Sequence, residues 1–278
     1  MIKRKYYSLR TGKIPNEQML TFEVLKKLIL IAYRKLDQDG YFQKYFGIDC
    51  VDGYLPGELG EDIESVLYIN LRKENLFPIG KKLSDYTEDD LFDVLEFLHD
   101  HCSKGTEGEY HNWNNCGVHY VKFDDQEGQK DFRKEINPIL SEYQGGYEIS
   151  EHGEILVLAD MGLATLLEAD LPVKDPANIN DKVEAAIIKF RSHRSTITNR
   201  REAIRDLADV LEFLRPQIKG KIVNQDENDL FNIANNFGIR HHNQNQKTGY
   251  DKPIWYSWIF YFYLATIHAV LRLIDKAK

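Results

Sequence analysis

The sequence predicts an α+β protein that is mostly α-helical and consists of two units. Three observations support this prediction. Apolar residues recur at helical spacing through most of the chain, one β-hairpin pattern lies at 147–158, and a linker with two prolines follows at Leu171–Asn178. We therefore expect a mixed α+β N-terminal domain over residues 1–172 and a helical bundle over residues 178–278.

Helical periodicity predicts four helices in the N-terminal domain. The first is expected to begin at the cap Asn16, and the second is expected to bury Ile63 and Leu67. Thr87, with Asp90 three residues later, indicates a capping box at the start of the third helix.

The fourth helix is expected over residues 128–143, bent or broken at Pro138. A hairpin follows, in which two short β-patterned stretches flank Glu151-His152-Gly153 and the glycine allows a positive φ angle. A helix followed by a hairpin resembles the end of a winged-helix unit. No periodicity is visible over residues 99–125.

The C-terminal unit is expected to be an α-bundle with helices near residues 181–190, 198–214, 226–236 and 253–274. The last helix has no charged residue from Ile254 to Leu271, which is long enough to raise the question of a membrane span. Because it also carries Tyr261, Thr266 and His268, whose polar groups are costly in lipid, we expect a buried core helix and no membrane span.

The composition is that of a globular protein, with 42% apolar and 29% charged residues. The net charge of −8 is uneven, since residues 1–180 carry 20 basic and 33 acidic side chains whereas residues 181–278 carry 16 and 11. The basic unit is therefore the better candidate for binding an anion such as nucleic acid. Three cysteines and no signal-peptide pattern favour a reducing cytoplasm.

A concentrated polar segment, Arg240-His241-His242-Asn243-Gln244-Asn245-Gln246, lies between the last two predicted helices. A histidine near neutral pH transfers protons, and an arginine stabilises an oxyanionic phosphorus centre. These groups would activate a ribose 2′-hydroxyl to attack the adjacent phosphodiester without a metal ion. The amides of Asn236, Asn243 and Gln246 would hold the ribose or phosphate. The alternative is that the segment caps the neighbouring helix ends.

This segment resembles the Arg-and-His loop between the last two helices of the HEPN superfamily, especially in the C-terminal modules of bacterial abortive-infection proteins. Two stretches of the N-terminal domain, Phe132–Leu140 and Gly146–Ile155, are similar to proteins of that anti-phage group. The resemblance implies a helical bundle, RNA cleavage, and a homodimer whose site forms across the two chains. The family's active pattern has a histidine four to six positions after the arginine, whereas here His241 and His242 follow Arg240 directly.

Two functional hypotheses follow. The first is a cytoplasmic anti-phage effector that cleaves RNA without a metal or other cofactor. Arg240 would stabilise the phosphorane, His242 would act as base or acid, and His241 would be its partner. The second is a catalytically inactive HEPN-like module for dimerisation or RNA binding, which the short Arg-to-His spacing favours. RNA and a second copy of the chain are the expected partners. The sequence also leaves open a partner protein encoded by a neighbouring gene.

A run of basic residues in the same unit also favours RNA contact, and Arg194 and Arg201 are its predicted substrate-binding members. The run consists of Lys189, Arg191, Arg194, Arg200, Arg201 and Arg205. The alternative is a solvated helix face with pairs such as Arg205 and Asp209. The sequence has no P-loop, G-x-G-x-x-G, G-x-S-x-G or H-E-x-x-H motif, which argues against nucleotide hydrolysis, a Rossmann dehydrogenase and zinc proteolysis.

Histidines and cysteines are frequent over residues 99–119 and raise a zinc alternative. Cys116 and His119 have a spacing that chelates zinc, with Cys102 or His101 completing the site. Because the tight C-x2-C form is absent and the ligand spacing is irregular, we expect no bound metal.

Overall fold

The computed structural model describes residues 6–7, 11, 19–113, 116–159, 163–167, 169–172, 175–219, 233, 237, 239 and 250–276. The chain divides into two compact units, Met1–Ile155 and Leu156–Lys278, so this division precedes the predicted linker. The α+β, mostly α fold class is confirmed, because helices predominate and the strands of the described residues pair in small two-stranded sheets.

The first unit combines helices with short hairpins. Its elements are α1 (Phe22–Gln38), α2 (Gln43–Phe46), β1 (Ile48–Cys50), β2 (Gly53–Leu55), α3 (Ile63–Leu71), α4 (Ile79–Lys82), a 3-10 turn (Leu83–Asp85), α5 (Glu88–Asp100), β3 (Lys104–His111), β4 (Gly117–Asp124), α6 (Asp125–Leu140) and β5 (Tyr147–Ile149), which pairs with β6 (Ile155–Val157) at the unit boundary.

Helix α1 begins later than expected. Its N-cap is Thr21, whose hydroxyl accepts from the backbone N–H of Val24, and the predicted cap Asn16 lies outside the described residues. The predicted apolar face is confirmed, since Leu25, Ile29 and Leu36 are buried. An apolar stripe fixes which face of a helix is buried, whereas the cap is chosen by one local hydrogen bond.

Helices α5 and α6 both contribute buried residues to the core of the first unit. The predicted capping box of α5 is confirmed, because the Thr87 side chain and the Asp90 side chain each accept the other's backbone N–H. The expected break at Pro138 is wrong, since α6 runs through it to Leu140. Pro138 lies in the last turn, where it removes a single backbone donor, and the buried Leu140 holds that turn in place.

Two hairpins without any periodicity signal occupy regions expected to be irregular. Strands β1 and β2 pair from Ile48–Leu55 to Cys50–Gly53, and β3 and β4 pair from Lys104–Asp124 to His111–Gly117. Both β3 and β4 are half-buried or exposed along their whole length. Because neither face of this sheet is buried, its sequence does not alternate between apolar and polar residues.

The second unit is helical and has its own core. Its elements are α7 (Ala164–Leu167), a π-helical turn (Pro176–Asn180), α8 (Asp181–Arg191), α9 (Ile197–Ile218) and α10 (Lys252–Lys276). The rings of Phe190 on α8 and Phe260 on α10 stack with centroids 3.9 Å apart. From α9, the predicted inward residues Ile204, Leu207 and Leu211 are buried beside them. The helix predicted over residues 226–236 lies outside the described residues, except at Ile233.

Helix α10 has the length and apolar composition of a membrane-crossing helix, but half of that window is buried inside the protein. It contributes ten buried residues, among them Tyr263 and His268. These residues pack in the core of the second unit, as the sequence predicts.

Candidate functional site

The ends of the segment that carries Arg240–Gln246 are fastened to each other. The Tyr250 hydroxyl donates to the backbone carbonyl of Phe237 at 2.7 Å, and the two rings pack edge to face with centroids 5.2 Å apart. Ile239, two residues beyond Phe237, is buried in the core of the second unit. Phe237 and Tyr250 therefore lie together, on either side of this segment in sequence. Residues 236, 240–243 and 246, which include every predicted catalytic residue, lie outside the described residues.

Helix α10 begins directly after this closure. The Asp251 carboxylate accepts the backbone N–H of Ile254 at 3.2 Å, which is the geometry of an N-cap, and Pro253 occupies the first turn, where its missing N–H costs nothing. Trp255 in the same turn packs against Phe237 with ring centroids 5.4 Å apart. A cap and two aromatic contacts thus fix both ends of the segment on the start of α10.

Arg201 lies within electrostatic reach of this closure. Burial and a hydrogen bond with Tyr256 raise the pKa of the Tyr250 hydroxyl, while the charge of Arg201 acts to lower that pKa. Arg201 is half-buried in the first turns of α9. The structure therefore brings this predicted substrate-binding arginine close to the point where the polar segment rejoins the bundle.

Arg194 has a different position, in the turn between α8 and α9. Its side chain is exposed, and its backbone has a φ of 58°, in the left-handed region. The N–H of Ser195 donates to the carbonyl of Ser192 at 2.9 Å and closes this turn. Arg194 and Arg201 are seven residues apart, in the turn and at the start of α9, so both arginines belong to one end of that helix.

Three other members of the basic run have structural partners. Lys189 forms an ion pair with Asp206, the Arg191 Nε donates to the carbonyl of Val157 at 3.0 Å, and the Arg200 guanidinium lies 5.4 Å from the centroid of the Phe190 ring. These contacts favour the structural alternative for this part of the run.

Sequence reasoning did not single out Tyr250. Its hydroxyl binds the Phe237 carbonyl, thirteen residues earlier, and no local sequence pattern predicts a hydrogen bond over that separation. The one available signal was its position directly before the Asp251-Lys252-Pro253 helix start.

The residues of the zinc alternative separate into two groups. Cys102 is buried and its thiol donates to the carbonyl of Gly128 at 3.4 Å, while His101 Nδ1 lies 2.7 Å from the carbonyl of Phe97. Neither completes a site with Cys116, so that part of the zinc alternative is wrong. Instead, Cys116 and His119 lie beside Cys50 and His111.

The comparisons with known proteins return no relatives: no protein-family model, no curated protein and no solved structure matches the chain. The resemblance to HEPN modules therefore stays a prediction from the residues quoted above.

Proposed function

We propose that the protein is a cytoplasmic anti-phage effector that cleaves RNA without a metal ion at the segment Arg240–Gln246. The observation that carries the proposal is the hydrogen bond between Tyr250 and Phe237 beside Arg201. It joins two described residues that flank a segment rich in Arg, His and amide side chains, next to a cation able to bind a phosphate. Catalytic groups act when a rigid scaffold positions them.

The chemistry requires two kinds of group. His242, with His241 as its partner, would take the proton of a ribose 2′-hydroxyl and return a proton to the leaving 5′-oxygen. Arg240 would stabilise the phosphorane, on which negative charge develops during the attack. Asn236, Asn243 and Gln246 would hold the ribose or phosphate, and Arg194 and Arg201 would bind neighbouring phosphates. The site would form in a homodimer.

A second candidate function is a catalytically inactive dimerisation or RNA-binding module. The observation that favours it is the spacing of His241 and His242, which directly follow Arg240. Such a module would use the same basic end of α9 to bind RNA, and the polar segment would cap helix ends.

The test is an RNA-cleavage assay on full-length protein and on the variants Arg240→Ala and His242→Ala. We expect each variant to lose about two to four orders of magnitude in cleavage rate with an unchanged melting temperature, because a group that stabilises only a transition state contributes little to folding. EDTA added to the assay should leave the wild-type rate unchanged.

The matched control is Arg215→Ala, which removes the same side chain about 21 Å along α9 from Arg201, where Arg215 pairs with Glu212. It should retain the wild-type rate. If the wild-type protein leaves RNA intact under all conditions and both site variants lose roughly 0.5–2 kcal/mol of stability, the residues are helix caps and the module replaces the enzyme.

A further inference from the structure

Four side chains with metal-ligating atoms converge in the first unit. The ligand atoms of Cys50, His111, Cys116 and His119 all lie within 4.8 Å of one another. Cys50 Sγ is 3.4 Å from His111 Nδ1, and Cys116 Sγ is 3.1 Å from His119 Nε2. In tetrahedral zinc sites the Zn–S and Zn–N bonds place sulfur and nitrogen ligands about 3.5 Å apart. Two sulfur–nitrogen separations are therefore close to those of a tetrahedral site, and all four atoms are near enough to one another to share one ion.

Two hairpins supply the ligands. Cys50 ends β1 and faces Gly53 across a two-residue turn, and His111 ends β3. In the β3–β4 register His111 pairs with Gly117 and Glu109 with His119, so the two histidines are diagonal neighbours on one face of the sheet. Their ring centroids are 5.1 Å apart. Hairpin register, which is set by the backbone, brings the ligands together.

The hairpins are also positioned by contacts outside the cluster. The Gln43 side chain donates to the carbonyl of Val118 at 2.9 Å and accepts the N–H of Tyr120 at 3.1 Å, which fastens α2 to β4. At the base of the first hairpin, a Cβ on Gly47 would lie 2.2 Å from the carbonyl oxygen of Leu55, so only glycine allows this close approach. The ligand shell is thus held by the fold.

A carboxylate supports the histidine and a backbone amide supports the thiolate. Asp52 Oδ2 lies 3.6 Å from His111 Nε2, the ring nitrogen that faces away from Cys50. Metal-binding histidines commonly direct their second nitrogen to a carboxylate, which fixes the ring and increases its basicity. The backbone N–H of Asp52 donates to Cys50 Sγ at 3.5 Å, which helps to fix the position of the sulfur.

We propose that Cys50, His111, Cys116 and His119 bind one zinc ion that joins the β1–β2 hairpin to the β3–β4 hairpin. His111 would bind through Nδ1 and His119 through Nε2. Two thiolates and two imidazoles are a donor set that zinc prefers, and four protein ligands leave no position for substrate, so the site is structural. This proposal is independent of the proposed RNA cleavage, whose residues lie in the other unit.

A pocket of ≈ 320 Å³ beside the cluster provides the route for the ion. Its lining includes Cys50, His111 and His119 together with the acidic side chains of Asp52 and Glu109. The carboxylates attract a divalent cation, and Cys50 at the inner end is buried.

A disulfide between Cys50 and Cys116 is the competing arrangement, because both thiols belong to the same cluster. Both cysteines are free in this structure. An intact-mass measurement separates the two cases, since a disulfide lowers the mass by two hydrogens and zinc adds its own mass under native conditions.

The deciding experiment measures the zinc content of full-length wild-type protein produced with zinc in the medium and purified with a reductant. We expect about one zinc per chain, release of that zinc by a thiol-specific mercurial reagent, and replacement by Co²⁺ with the visible absorption of a tetrahedral thiolate complex. Wild-type protein with no zinc and no such Co²⁺ spectrum, or with a disulfide in the reduced preparation, would overturn the proposal.

Variants locate the ion. Cys50→Ser should contain no zinc, whereas Cys102→Ser, a second buried cysteine of the same unit outside the cluster, should retain it. Asp52→Asn tests the supporting carboxylate at an exposed position, where folding is not at risk. It should still bind zinc but about 10–100-fold more weakly. Equal zinc content in Cys50→Ser and wild type would place the ion elsewhere and refute the assignment.

Discussion

The zinc cluster and the polar segment differ in how the chain assembles them. Cys50 and His111 are 61 residues apart and meet because two hairpins pack together. Arg240 to Gln246 are consecutive in sequence, and described residues on either side of them, Phe237 and Tyr250, are joined by a hydrogen bond.

This difference determines what each site depends on. A site built from distant residues exists only in the folded unit, so its binding free energy adds to the free energy of folding. A contiguous segment holds its chemical groups whether or not the unit is folded, so the fold affects their positions and not their presence. Changes at the cluster should therefore alter stability, and changes near the segment should alter activity.

Removing the proposed zinc should have the largest effect. Each of the two hairpins is a two-stranded sheet, which is marginally stable alone. We expect chelation to lower amide-exchange protection in β1–β2 and β3–β4 by about a hundredfold or more, because metal binding contributes directly to folding. Exchange measured by mass spectrometry on zinc-loaded and chelated protein checks this. Protection in α9 and α10 is the internal control, and unchanged protection in both hairpins would contradict the dependence of the cluster on metal.

Tyr250→Phe should have the next largest effect, and it should change activity where zinc removal changes stability. It keeps the ring contact with Phe237 and removes only the hydroxyl that joins the segment's ends. If the segment cleaves RNA, we expect the turnover rate to fall roughly 10–100-fold with little change in RNA affinity, since small displacements of catalytic groups are costly. Tyr261→Phe, which removes a hydroxyl from α10 at a ring packed against Phe190, is the matched control. Equal rates for the two variants would mean that the closure does not position the catalytic groups.

The helices of the second unit were predictable because their signals are local and repeated. The inward residues of α9, from Ile204 to Leu214, follow one helical stripe, and the start of α5 follows from Thr87 and Asp90 alone. By contrast, β3 and β4 bury neither face and leave no periodic signal in the sequence.

The sequence suggested only two of the four proposed zinc ligands, because only those two are close together along the chain. Cys116 and His119 are three residues apart and suggest zinc by themselves. Their partners Cys50 and His111 depend on the register of β3–β4 and on the packing of two hairpins, which spacing in sequence does not encode. Cys102 and His101 were nearer in sequence and are directed elsewhere by helix α5 and the carbonyl of Gly128.

Arg201→Ala should have a moderate effect that separates binding from catalysis. If Arg201 binds a phosphate beside the closure, its loss should weaken RNA binding several-fold at low salt and reduce the slope of log affinity against log salt by about one. Fluorescence anisotropy with a labelled RNA at several salt concentrations measures this. Arg215→Ala at the far end of α9 should leave the slope unchanged, and the same slope for Arg201→Ala and wild type would remove Arg201 from the RNA surface.

The smallest expected effect concerns His268, a polar residue in the core of the second unit. Burial, and then the charge of Arg272, lower the pKa of His268 below its usual value, so the folded protein keeps the ring neutral. Its Nδ1 has no hydrogen-bond partner among the described residues. Because the unfolded chain takes up a proton below a pH of about 6.5, this histidine costs no stability above that pH and destabilises the fold as the pH falls further.

His268→Leu should therefore reduce the acid sensitivity of the second unit by roughly 1 kcal/mol between pH 7 and pH 5. Urea unfolding followed by tryptophan fluorescence reports on this unit, because Trp255 and Trp258 both lie on α10. The exposed His152, in the first unit, provides the control His152→Gln, which should retain the wild-type pH dependence. If His268→Leu and wild type lose stability equally on acidification, folding does not lower the pKa of His268, and the ring accepts a proton in the folded core as readily as in the unfolded chain.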